Sequence, residues 1–176
     1  MKKILYLILA ILIAFPTLGF AREKKERKRG LKQLEVVETV EVNAPPAVVW
    51  DKIKDFNGLP GWHPAFKNSR LDEANKSIRI LTLQNGGQII EKQISYDENN
   101  MSYTYSIEKA DYRDVPVANY TATLHVRPGR GGGSIVEWRG VFNPPPGMSA
   151  KESLKFIKNV YTTGLQNLKK ILEERR

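Results

Sequence analysis

Between residues 101 and 142 the chain alternates apolar and polar side chains in one phase through three segments. Tyr103 and Tyr105, then Tyr120, then Trp138 and Phe142 take one set of positions, while Ser102, Thr104, Ser106, Thr121, Thr123, Glu137 and Arg139 take the other. A period of two is that of a strand, so the pattern predicts an antiparallel sheet with one aromatic face and one watered face. Such a wall must be covered. The cover is predicted at Ser149–Arg176, where Leu154, Ile157, Tyr161, Leu165, Leu168 and Leu172 trace one helical stripe. Ser149 followed by Glu152 is the signature of a capping box at its start.

The remaining elements follow from the same reading. Glu35–Val42 alternates as a first strand whose apolar face is ambiguous by one residue, because Val36, Val37, Val40 and Val42 fall in both phases. Val49, Trp50, Ile53 and Phe56 recur at helical spacing after Pro45 and Pro46, with Asn43 as the expected N-cap. Asn57-Gly58 ends that helix, and Leu59–Pro64 forms a turn-rich connector holding a second brief helix. Strand segments are then expected at Leu71, Ile78–Leu83, Ile89–Tyr96, Met101–Ile107, Val117–Val126 and Ile135–Phe142, separated by Asn- and Gly-rich turns. The expected architecture is α+β: about seven strands in a curved antiparallel sheet wrapped around a long C-terminal helix, with two short helices after the first strand.

The hairpin around Asn85-Gly86-Gly87 decides where charges point. A two-residue turn sets Arg79 opposite Lys92, whereas a three-residue turn sets Leu83 opposite Ile89 and Leu81 opposite Glu91 and avoids the like-charge pair. The second register is expected. It puts Arg79, Leu81, Leu83, Ile89, Glu91 and Gln93 on one face, with Arg79 and Glu91 approaching diagonally. On the inner face this pair is a polar anchor in an apolar hollow; on the outer face it is a surface ion pair worth at most about 1 kcal/mol.

Charge and hydropathy add an address. Lys2 and Lys3 precede an apolar run, Ile4–Phe15, and Pro16 leads to Gly19-Phe20-Ala21, so residues 1–21 are expected to be a cleaved secretory signal peptide. An uncleaved anchor is the alternative, disfavoured because the run is short for a span and Pro16 interrupts it. The formal net charge is +9, of which Arg22–Lys32 alone contributes seven Lys or Arg against Glu23 and Glu26. Residues 22–33 are therefore expected to be a disordered basic tail, read either as a solubilising leader or as an electrostatic tether to anionic lipid or an acidic protein. Residues 34–176 make one domain. Export disfavours nucleic acid as a partner and points to the periplasm. The absence of cysteine excludes disulfides, thiolate catalysis and a lipoprotein anchor.

An ordered series of short motifs supports a family resemblance. It runs through Ala44-Pro45-Pro46 with Val49-Trp50, Trp62-His63-Pro64, Arg79–Leu83 with Gly86-Gly87, and Glu91. It continues through Met101–Tyr105, Tyr120–Leu124, Gly131–Ser134, Val136-Glu137-Trp138 and Gly164-Leu165, in unbroken order over about residues 40–170. The chain resembles the START-like, helix-grip (SRPBCC) superfamily, which includes polyketide cyclases, and within it the MxaD-like periplasmic accessory proteins of bacterial methanol oxidation. The resemblance implies a binding cavity and a non-catalytic role assisting a quinoprotein dehydrogenase and its cytochrome acceptor.

The expected cavity residues are Trp62, His63, Arg79 and Glu91, with Tyr103, Tyr105, Tyr120, Trp138 and Phe142 from the sheet and Tyr161 from the helix. They suit a small apolar or amphipathic ligand, although the rings could equally be ordinary core. His63 has two readings, a lid residue bonded locally or a general acid–base working with Arg79 and Glu91. His125 falls in the outward phase. No metal is expected, since two histidines far apart in sequence lack ligand spacing, and no cofactor is implied. The run Gly129–Ser134 joins two strands with no helix behind it, so a hairpin tip is favoured over a phosphate cradle. Gly164 inside the last helix, at a cost near 1 kcal/mol against Ala, implies close packing on the sheet or headroom for a ligand.

Overall fold

Seven antiparallel strands form one sheet in the order β1-β7-β6-β5-β4-β3-β2, with a long helix lying across its concave face. The structure is a computed structural model and describes residues 33–174; the expected signal peptide and the basic run behind it lie outside the described residues. The strands are β1 (Leu34–Val42), β2 (Phe66–Leu71), β3 (Ile78–Leu83), β4 (Gln88–Asp97), β5 (Ser102–Ala110), β6 (Ala118–Pro128) and β7 (Ser134–Asn143). Two α-helices accompany them, α1 (Pro46–Ile53) and α2 (Ala150–Glu173), with short 3-10 turns at Leu59–Gly61 and Arg130–Gly132.

The predicted phases hold. Tyr103, Tyr105, Tyr120, Trp138 and Phe142 are all buried, and β1 resolves its ambiguity by burying Val36, Val40 and Val42 while Val37 faces out. On α2 the buried stripe runs through Ser153, Ile157, Tyr161, Gly164, Leu165 and Leu168. Leu154 and Leu172 sit only at its half-buried ends. Its start is fixed as expected: the Glu152 N–H donates to Ser149 Oγ, and the Ser149 N–H donates to Glu152 Oε2 at 2.9 Å.

Three expectations are corrected. Helix α1 is capped by Pro45, not Asn43, and its cap carries no side-chain hydrogen bond. Pro46 at the first helical position excludes helical torsions from the residue before it, so the helix cannot begin any earlier. Strand β2 starts at Phe66 rather than near Leu71, its polar sequence hiding it from an apolar scan. The β3–β4 hairpin pairs Leu81 with Ile89 and Arg79 with Glu91, two residues away from the expected register. A shift of two preserves the faces, so the residues named for the inner face lie on it, but Arg79 and Glu91 stand directly opposite instead of diagonally.

Register breaks between Ile90 and Glu91 and between Gln93 and Ser95 on β4, and between Ala118 and Thr121 on β6, bend the sheet. Bulges raise local twist and let a sheet curl. Strand β2, short and with its own break between Phe66 and Asn68, ends the sheet on one side. Helix α2 packs most heavily against β1 at the other end. The half of the sheet that curls away from the helix leaves a space beneath it.

Candidate functional site

That space is a cavity of about 340 Å³ between β3–β5 and the first half of α2. This lies at the small end of the range of about 300–1,000 Å³ usual for small-molecule sites. Its apolar walls come from Leu83 and Ile89, from Ile107, and from Phe156, Ile157 and Val160 of α2. Glu91, Tyr105, Tyr120 and Trp138 contribute the polar part of the lining, and Gln84, Asn85, Asp114 and Asn159 are its other polar residues.

Of the expected cavity residues, Glu91, Tyr105, Tyr120 and Trp138 line this space. The other six are buried behind it, each for a visible reason. Arg79, 1 % exposed, donates from Nε to Glu91 Oε2 at 2.7 Å and from Nη1 to the Phe56 carbonyl, and its Nη2 lies 2.6 Å from the same carboxylate oxygen. Its guanidinium also lies 4.0 Å from the centre of the Phe56 ring. Burial pushes the Glu91 carboxyl upward, and Arg79 pulls it part of the way back. Tyr103 packs edge-on to Phe56, and burial raises its hydroxyl to about 12. Phe142 stacks on Tyr120. Tyr161 stacks on Trp138 with ring centres 4.4 Å apart, and the absence of a side chain at Gly140 makes room for its hydroxyl.

Four polar groups form a chain through this wall. Trp138 Nε1 donates to Tyr105 Oη at 3.1 Å, Tyr105 Oη lies 3.2 Å from Tyr120 Oη, and Tyr120 Oη lies 2.6 Å from Tyr161 Oη. The chain supplies the partners that buried rings with polar tips require.

Trp62 and His63 are buried behind the wall and do not line the cavity. Trp62 packs against Trp138, and Asn167 of α2 holds its backbone by donating to the Trp62 carbonyl at 2.8 Å. The Ala65 N–H donates to His63 Nδ1, so Nε2 carries the hydrogen and donates to the Val160 carbonyl at 3.0 Å. With both ring nitrogens engaged by backbone, none is left to exchange a proton with a substrate. Burial, assisted by the nearby charge of Arg79 and opposed by the Val160 bond, lowers the imidazole to about 4, so it is neutral at pH 7.

Gly164 is explained by this contact. Val160 lies one turn before it on α2, and a Cβ at 164 would fall on His63 Cδ2 and 2.7 Å from Nε2. The imidazole reaches the helix carbonyl only because position 164 is bare. Gly164→Ala is therefore expected to destabilise the fold by about 1–3 kcal/mol through overpacking, although Ala favours a helix by about 1 kcal/mol. Urea denaturation checks this; a more stable variant would show that the His63 ring does not need position 164 to be bare.

Sequence reasoning missed Asp114, Val115, Gln84 and Asn159. The loop around Asp114 and Val115 has no periodicity to follow, and Asn159 lies on the polar side of the α2 pattern. Leu83, Ile89 and Ile157 had a signal, since each lay on a face already assigned inward. Among the described residues no cluster of three or more His, Cys, Asp or Glu could hold a metal, and no helix is long and apolar enough to cross a membrane.

A curved antiparallel sheet closed over one long helix around a mainly apolar cavity defines the helix-grip class of fold. Residues 33–173 match the family described as polyketide cyclase / dehydrase and lipid transport, and the chain belongs to that family. It is similar to the solved structure of the protein XoxI from Bacillus cereus at 33% identity and a TM-score of 0.74, covering 78% of this chain and 94% of that one. An uncharacterised Bacillus thuringiensis protein is similar at 32% identity and a TM-score of 0.74, covering 79% and 98%. A Nitrosospira multiformis protein is similar at 25% identity and a TM-score of 0.68, covering 81% and 100%.

Proposed function

We propose that the protein is an exported, non-catalytic binding protein that holds a small apolar or amphipathic ligand in the cavity beneath α2. The observation that carries this reading is the cavity itself: aliphatic and aromatic walls with a few convergent polar groups, the usual make-up of a small-molecule site. The engagement of both His63 nitrogens speaks for binding rather than turnover. Val160→Trp fills the space from a half-buried position, and it is expected to weaken binding of the neutral fluorophore N-phenyl-1-naphthylamine at least about tenfold while leaving the melting temperature within a few degrees. Unchanged dye binding by that variant would count against the cavity as the site.

In its finer form the proposal places the protein in the periplasm, after removal of residues 1–21, as an MxaD-like accessory of a quinoprotein dehydrogenase and its cytochrome acceptor. The motif series from Ala44 to Leu165 supports this, and the basic run Arg22–Lys32 suits contact with an acidic partner or anionic membrane. Affinity capture from a periplasmic extract of the source organism should recover the dehydrogenase or the cytochrome. Recovery of neither, or a mature protein that retains Met1, would remove this part of the proposal.

A further inference from the structure

The polar groups of the cavity restrict what its ligand can carry, and the restriction begins with charge. Among the described residues, the lining contains two acids, Glu91 and Asp114, and no Lys, Arg or His. Arg79, the cation beside it, spends Nε and Nη2 on Glu91 and Nη1 on the Phe56 carbonyl. An anionic head would thus lose its water with no cation to replace it. A cationic head fares little better inside, because the Glu91 charge is already neutralised by the guanidinium. Asp114 lies on the loop between β5 and β6, only half-buried, so water screens its charge; its partner at 2.8 Å, Asn85 Nδ2, is a neutral amide.

Hydrogen counting supplies the second constraint. Tyr105, Tyr120 and Tyr161 bring three hydroxyl hydrogens to two oxygen–oxygen contacts, and Trp138 adds a fourth donor that ends on Tyr105. One hydroxyl hydrogen is left over. Tyr161 is sealed behind the wall, whereas Tyr105 and Tyr120 line the cavity, so the spare hydrogen is best used from one of those two toward the interior. With Tyr161 donating to Tyr120 and Tyr120 to Tyr105, Tyr105 accepts twice and still donates once. Burial holds the Tyr105 hydroxyl well above its ordinary range, which keeps it a donor.

The third constraint is an acceptor on the adjoining strand. Glu91 directs Oε2 at both Arg79 nitrogens, which leaves Oε1 as the oxygen it can offer to the space it lines. Glu91 pairs with Ile107 across β4–β5, so Tyr105 on the same face is its diagonal neighbour.

A donor and an acceptor side by side, without net charge, match a hydroxyl group, which accepts from one and donates to the other. The geometry points to an uncharged apolar ligand bearing a hydroxyl, held with its oxygen between Tyr105 and Glu91 and its hydrocarbon against Ile89, Ile107 and Ile157. This assignment rests on the binding role proposed above and names the ligand's head group. An ether or ketone satisfies only the donor, and an ionised carboxylate, which has acceptors only, likewise leaves Glu91 Oε1 without a hydrogen.

Displacement of N-phenyl-1-naphthylamine from the exported protein tests it, using 1-octanol, octyl methyl ether, octanoate and octylammonium at pH 8. Octanol is expected to bind at least about tenfold more tightly than each of the other three. In Tyr105→Phe, shown to be folded by its thermal melt, the advantage of octanol over the ether should shrink to about threefold or less; if that variant is unstable, the wild-type ratio of octanol to ether affinity decides. Equal binding by all four, or a preference for octanoate or octylammonium, overturns the head-group assignment and leaves the cavity a binding site. Binding by none of the four, with no binding of the dye, overturns both.

Discussion

Replacing Arg79 with methionine is expected to lower the unfolding free energy by about 3–5 kcal/mol, the usual result of removing one partner from a buried ion pair. The guanidinium is 1 % exposed and meets Glu91 through two nitrogens, so its loss strands a carboxylate beneath the sheet and frees the Phe56 carbonyl in the connector behind α1. Two further results separate a charge effect from lost packing. Adding Glu91→Leu to Arg79→Met should recover at least half of the loss, because a buried pair replaced by apolar groups is often nearly neutral. The single variant should also regain stability as pH falls, since protonation removes the stranded charge. Guanidinium denaturation measures all three, and a loss below about 1 kcal/mol for Arg79→Met would show that the pair is not anchoring the fold.

The second large effect is a dependence on pH through His63. Its imidazole is lowered from 6.5 to about 4 in the fold, chiefly by burial, so between these values the unfolded chain binds a proton that the folded chain refuses. Stability from this residue is complete above pH 6.5 and is lost as pH falls toward 4, by about 3 kcal/mol in total. Glu91 works in the opposite direction, because a carboxyl raised in the fold favours folding as pH falls. Comparison of the wild type with His63→Gln removes that contribution and every other shared one. The difference in unfolding free energy should shift by about 3 kcal/mol between pH 7 and pH 4. A constant difference would mean that the ring is more hydrated than its contacts indicate.

The sheet and the long helix were legible because their signals are repetitive. An alternation carried by five large aromatics, and a stripe opened by Ser149 and Glu152, each restate the same instruction several times. Where one residue decides, the pattern carries no such repetition. Pro46 moved the cap of α1 from Asn43 to Pro45, and the Gln84–Gly87 turn changed the pairing of Arg79 without changing its face. The candidate site divides in the same way. Glu91, Tyr105, Tyr120 and Trp138 could be placed on an inner face by parity. Whether an inward residue meets open space or another side chain depends on how far the sheet curls from α2, which parity does not encode. That is why Arg79, Tyr103, Phe142 and Tyr161 support the wall from behind, and why His63 serves as a brace between the connector and the helix.

Among the described residues, strand β2 leaves one border of the sheet without a neighbour, yet that border is a poor template for another chain. It spans only Phe66–Leu71, breaks register at its first residues, and presents Lys67 and Arg70 to water. Brevity, a kink and cationic side chains are the means by which open sheet margins resist adding strands from other molecules. The protein can therefore accumulate at high local concentration without its ladder being extended from that side into fibres.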